Sequence, residues 1–191
     1  FEKNLSEFLG CKHIIGVADG TLALIFSLKA SGIRKGDEVI ISSHTFVATA
    51  AAIDEIGGIP VIADCLEDSM IDPKSVERLI TKKTRAIMPT QLNGRIANMD
   101  QINLLSEKYN LVIVEDSCQA LGAKYKNKPA GLFGICGSYS FFPAKTLGCF
   151  GDGGAISTDS DRVASYIKKL RNHGRDKDGY VSEFGNNGRL D

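Results

Sequence analysis

The sequence predicts an α/β fold of three layers, αβα, with helices on both faces of a mainly parallel central sheet. Three observations carry that prediction. Apolar runs of strand length alternate with helix-length stretches through the first 116 residues, the rhythm of βα units. Hydrophobic residues make up 43% and charged residues 24% of the chain, which is globular composition. A length of 191 residues suffices for one sizeable core.

The elements follow in order. A strand is expected over 13–17, then a helix over 21–30 after an Asp-Gly turn. A strand at 38–41 precedes an alanine-rich helix at 45–56. After a strand at 60–63, Asp72 is placed as an N-cap, with Pro73 at the first position of a helix over 73–80. A strand at 86–88 leads to a helix over 99–109, where Ile102, Leu105 and Tyr109 recur at helical spacing. The strand at 111–115 closes this half. Beyond Asp116 glycines crowd the chain, at 122, 131, 134, 137, 148, 151, 153 and 154. They frame two short strands, 138–142 and 155–158, before a last helix at about 160–171. The tail, 172–191, is polar and glycine-rich without a hydrophobic period. It is expected to reach outward rather than fold onto its own domain, and the chain is expected to be cut from something longer.

Composition excludes several functions. Lysine plus arginine number 23 and so do aspartate plus glutamate, so the basic excess of a nucleic-acid binder is missing. Apolar runs fall short of the roughly 20 residues a membrane helix needs. FEKNLSEF at the start carries charges where a signal peptide needs an apolar core, so a cytoplasmic protein is expected. Five cysteines, an odd number with no C-x-x-C pair, indicate neither a disulfide framework nor a zinc site. They are expected as buried free thiols in a reducing compartment. Three scattered histidines suggest no metal site.

Three stretches carry chemistry. Asp19-Gly20-Thr21 follows a strand and opens a helix, and a helix N-terminus with a glycine and a hydroxyl is a natural phosphate site. An ordinary threonine-capped turn would read the same. In LVIVEDSCQ, Asp116 sits immediately past a buried-looking strand, at the edge of the sheet where ligands gather; a solvated N-cap for a following short helix is the alternative. In SYSFFPAKTLGCFGDGG, Lys145 lies among Pro143, Ala144, Leu147 and Phe150. Partial desolvation there would lower its pKa and make it a nucleophilic amine; a snorkelling surface lysine is the alternative. In this order, a phosphate cradle, a strand-end aspartate and a loop lysine form a pyridoxal-phosphate constellation.

With GVADGTLAL, GDEVIISSHTFVATA, EDSCQA, SFFPAKTLGCFGDGGA, LRNHG and GNNGRLD, the chain resembles the DegT/DnrJ/EryC1/StrS family, sugar aminotransferases of the aspartate-aminotransferase (type I) fold. That resemblance implies a pyridoxal-phosphate-binding large domain over 1–191, without a full N-terminal arm or the C-terminal small domain. It implies Lys145 as the Schiff-base and proton-shuttling lysine and Asp116 as partner of the pyridine nitrogen. Gln119 would contact the ring hydroxyl, and Gly20, Thr21 and Ser140 the phosphate. Phe46 would stack on the ring; a core phenylalanine is the alternative. Asn187 would reach the phosphate of a neighbouring subunit, implying a homodimer with shared sites. A nucleotide-sugar substrate and glutamate as donor are implied likewise. Gln91 stands where many members carry histidine. Relatives that are dehydratases carry histidine in place of the lysine, so Lys145 speaks against that chemistry; a non-catalytic cofactor-binding module is the remaining rival.

Overall fold

The computed structural model describes residues 1–191. Seven strands form one sheet: β1 (His13–Val17), β2 (Glu38–Ser42), β3 (Ile59–Ala63), β4 (Thr84–Met88), β5 (Val112–Asp116), β8 (Cys136–Ser140) and β9 (Gly154–Thr158). A separate two-residue hairpin pairs β6 (Lys124–Tyr125) with β7 (Lys128–Pro129). The sheet order is β1-β9-β8-β5-β4-β2-β3. β9 runs antiparallel to both neighbours, and every other pairing is parallel. The sheet is thus mainly parallel, as expected.

Six α-helices complete the layers: α1 (Glu2–Leu9), α2 (Gly20–Ala30), α3 (Val47–Glu55), α4 (Pro73–Leu79), α5 (Met99–Tyr109) and α6 (Asp161–Leu170). One core packs α2, α3 and α6 on the sheet through Phe26, Leu28, Ile53 and Ile167. A second, built from Val76, Met99, Ile102 and Leu105, seats α4 and α5 on the opposite face, and a third, smaller one holds Leu5 and Leu9 of α1. Caps set the helix starts. Asp19 accepts from the Leu22 amide at 2.8 Å, Asp72 from Lys74 at 2.9 Å, and Ser160 from Val163 at 3.4 Å.

Several expectations need correction. α1 was not anticipated. Leu5 and Leu9 are its buried residues; they pack in an apolar cluster with Ile14, Tyr139 and Phe141, and a polar anchor adds to that contact. Glu2 accepts from the Gly16 amide at 2.8 Å and from Arg171 at 2.6 Å. Burial pushes the Glu2 carboxyl up, but these donors outweigh it and hold it below the usual range. Asp19-Gly20 is no turn ahead of the helix: Asp19 is the cap and Gly20 the first helical residue. The strand expected at 138–142 lies two residues earlier, so Phe141 and Phe142 begin the lysine loop. Two cysteines, 11 and 136, are buried, while 65, 118 and 149 are half-buried; all five are free.

The tail does fold back. Gly188 donates to the Arg171 carbonyl at 2.9 Å and accepts from Ala18 at 3.0 Å, and Asn172 bridges Asn187. Backbone hydrogen bonds, which leave no hydrophobic period, hold it. Its side chains do reach outward: Phe184 and Tyr180 are exposed. No helix is long and apolar enough to cross a membrane.

Candidate active site

Parallel strands deliver their carboxyl ends to one edge of the sheet, and a cleft of about 610 Å³ opens there. That volume suits a small organic ligand. Seven of the eight residues singled out from the sequence line it: Gly20, Thr21, Phe46, Asp116, Gln119, Ser140 and Lys145. Asp19, Leu24, Ala48, Thr49, Cys118, Phe142, Ala144 and Asp152 complete the wall.

At one end stands the N-terminus of α2. Its first amides, Gly20 and Thr21, have no intrahelical acceptor and face the cleft with the positive end of the helix dipole. Gly20 is there for closeness. A Cβ on it would lie 2.7 Å from Ser140 Cβ, so the amide and the Ser140 hydroxyl converge only because the side chain is missing. Gly154 does the same one layer down, where a Cβ would strike the Asp19 carbonyl at 2.4 Å. An oxyanion fits this cradle.

Asp116, the last residue of β5, stands further along the cleft and is 4% exposed. No helix follows it. Instead its Oδ1 accepts from the Cys118 amide at 3.2 Å, and its Oδ2 accepts from the Thr49 hydroxyl at 2.7 Å. Phe46 is the residue just before α3 and is 66% exposed, which excludes the core reading and leaves a ring face open to the cleft. Gln119 uses its Oε1 to accept from Asn93 at 3.3 Å. Lys145 is half-buried in the turn after Phe142, whose carbonyl accepts its amide at 2.8 Å. Burial and the Asp116 carboxylate push the Cys118 thiol well above its ordinary value, so it is an inert part of the wall.

Asn187 is the residue the structure does not bring to this cleft. It is exposed on the folded tail and does not line the cleft. Gln91 is absent as well: it lies fully buried, donating to Glu115 at 2.9 Å and accepting from Ala97 at 2.8 Å. Thr45 and Thr49 lie inside the GDEVIISSHTFVATA stretch, but their links to Thr90 and Asp116 cross chain distances that no motif spans.

The residues fit a phosphorylated pyridine. The cradle would take a dianion, Asp116 could pair with a ring nitrogen, Phe46 offers a face to a flat π-system, and Lys145 offers an amine. A cleft at the carboxyl edge of a mainly parallel sheet is where α/β enzymes bind their ligands. The chain belongs to the DegT/DnrJ/EryC1/StrS aminotransferase family, which it matches over residues 1–191. It is 41% identical to the UDP-2-acetamido-2-deoxy-3-oxo-D-glucuronate aminotransferase of Pseudomonas aeruginosa, over all of this chain and 53% of that protein. A pleiotropic regulatory protein of Geobacillus stearothermophilus is also 41% identical, over all of this chain and 51% of its own length. The crystal structure of DesV from Streptomyces venezuelae superposes with a TM-score of 0.95 at 40% identity, covering 99% of this chain and 51% of DesV. The chain therefore spans about half the length of the curated relatives it matches.

Proposed function

We propose that the chain forms the cofactor-binding part of a pyridoxal-phosphate-dependent aminotransferase, which converts a nucleotide-linked keto-sugar to an amino sugar with glutamate as donor. One observation carries this reading: Lys145, buried Asp116 and the Gly20–Ser140 cradle line a single cleft. When bound, pyridoxal phosphate supplies an electron sink for the carbon that carries the transferred nitrogen. The amides of Gly20 and Thr21, with the hydroxyls of Thr21 and Ser140, receive the phosphate. Asp116 holds a proton on the ring nitrogen, Gln119 meets the ring hydroxyl, and Phe46 covers one face. Lys145 Nζ would hold the cofactor through its amine and would take and return the proton at the reacting carbon. A second copy completes each site, with Asn187 of the partner subunit reaching the phosphate. Five free thiols support a reducing compartment, the cytoplasm.

The test is spectroscopic. Pyridoxal phosphate added to the whole protein should give a visible band that glutamate bleaches. Borohydride should then fix a covalent label in the wild type and none in Lys145→Ala. A label that persists in Lys145→Ala moves the role to another lysine. The regulatory name of the Geobacillus relative favours a second reading, a binding module without turnover; a band that no amino donor bleaches would support it.

A further inference from the structure

Behind Asp116 runs an unbroken line of threonine hydroxyls. Thr49 Oγ1 donates to Asp116 Oδ2 at 2.7 Å. The Thr45 and Thr49 hydroxyls are 2.6 Å apart, and Thr90 Oγ1 donates to Thr45 Oγ1 at 2.8 Å. Chemistry sets the direction. An ionised carboxylate only accepts, so the one proton of Thr49 points at Asp116. Thr49 oxygen then accepts from Thr45, and Thr45 oxygen from Thr90. Every proton in the line points toward the carboxylate. Thr49 and Thr90 are buried, at 0% and 2% exposure, and Thr45 between them is half-buried, so the Thr49–Asp116 bond is the one best shielded from solvent. The Asp116 backbone is pinned too: its amide donates to Pro89 at 3.1 Å and its carbonyl accepts from Gln91 at 2.8 Å.

We propose that Thr49, backed by Thr45 and Thr90, is a positioning residue for Asp116: it fixes the rotation of the carboxylate toward the place of the cofactor's ring nitrogen. This inference rests on the aminotransferase reading of the cleft. Thr45 and Thr49 flank Phe46, so one line of hydroxyls ties the segment carrying the ring-facing aromatic to the ring-nitrogen partner. Hydroxyls in series polarise one another. The effect of removing them should therefore be graded, largest at Thr49, smaller at Thr45 and smallest at Thr90.

The test is a double-mutant cycle read by equilibrium titration of the cofactor-free full chain with pyridoxal phosphate. Thr49→Val keeps the shape and removes the donor. A hydrogen bond to a charged group is worth enough that affinity should fall about 10-fold or more. Thr49→Ser keeps the hydroxyl and should stay within about twofold of wild type. In the Asp116→Asn background, Thr49→Val should add almost nothing, because the group it positions is gone. Wild-type affinity in Thr49→Val, or its full loss added on top of Asp116→Asn, would overturn the proposal while leaving the reading of the cleft intact. That reading fails separately, and takes the proposal with it, if Asp116→Asn binds the cofactor as wild type does. Should Thr49→Val not fold, Thr45→Val and Thr90→Val must still show the smaller graded losses, and wild-type affinity in both overturns the proposal.

Discussion

Gly20 shows how one absent atom shapes the site. Its backbone is ordinary helix, so the residue is needed for space and not for a left-handed turn. An alanine there would put Cβ 2.7 Å from Ser140 Cβ and 3.1 Å from its hydroxyl. Both atoms sit close to rigid backbone, the start of α2 and the end of β8, so neither can swing aside. Gly20→Ala should lower stability by about 1–3 kcal/mol, the usual range for overpacking, as read by denaturant unfolding. It should also weaken pyridoxal phosphate binding, because the cradle opens as the two backbones part. Unchanged affinity in Gly20→Ala would place the phosphate elsewhere in the cleft. Thr21, exposed on the same turn, has no such packing constraint, so Thr21→Ala should keep stability and lose only affinity.

β5 places two adjacent carboxylates on opposite faces, as strand alternation requires. Asp116 meets the cleft; Glu115 turns inward and is 0% exposed. Burial raises the Glu115 carboxyl above its ordinary value, opposed by its N–H donors. Those donors are the Gln91 amide and the backbone N–H groups of Gly131, Phe133 and Gly134. Glu115 thereby clamps the 131–134 loop to the end of β4. Glutamine in its place would turn an NH₂ toward groups that can only donate. Glu115→Gln should cost about 3 kcal/mol, the scale of a lost bond to a charged group with a donor left unpaired, measured as a fall in the unfolding midpoint. A cost under about 0.5 kcal/mol would mean the loop is held by other contacts. The same strand shows what was legible in advance. Its apolar run is local, as are those of β1, β2 and β4, and each appears within a residue or two of its expected bounds. Glu115 was not legible, because its partners lie 16–24 residues away and follow no period. The threonine line behind Asp116 was hidden for the same reason, spanning 67 positions from Thr49. α1 escaped because two buried leucines in a short charged segment make too brief a hydrophobic pattern, and its polar anchor, Glu2 to Arg171 across 169 positions, leaves no mark on one. Lys145, Asp116 and the Gly20 turn were legible because each sits inside a contiguous stretch of motif.

At the scale of the whole molecule the question is where Asn187 acts. Sequence reading placed it on a free tail, yet that tail is a folded strap. Backbone bonds tie Gly188 to Arg171 and Ala18, and Asn186 donates to Leu170 at 2.8 Å. Leu190 packs over Gly16 and Gly153, while Gly188 lies against Phe26. The strap holds Asn187 rigidly outward, exposed and outside its own chain's cleft. That placement is the one a role across an interface would need. Phe142, Leu147 and Phe150 on the lysine loop are 52%, 45% and 112% exposed, so the rim beside Lys145 offers apolar surface for a second copy to cover. Complementation tests the arrangement in the whole protein. Lys145→Ala removes the amine from one variant; Asn187→Asp sets a carboxylate against the phosphate in the other, where like charges repel. Each homodimer should be weak. In the mixed dimer one site inherits both lesions and the other inherits neither. Random re-association makes half the dimers mixed, so activity should climb toward roughly a quarter of wild type if sites are shared across a two-fold axis. Native mass spectrometry would count the mixed dimers independently. Activity that stays at the parental level while mixed dimers are abundant would assign Asn187 to its own chain, or to no role in the site.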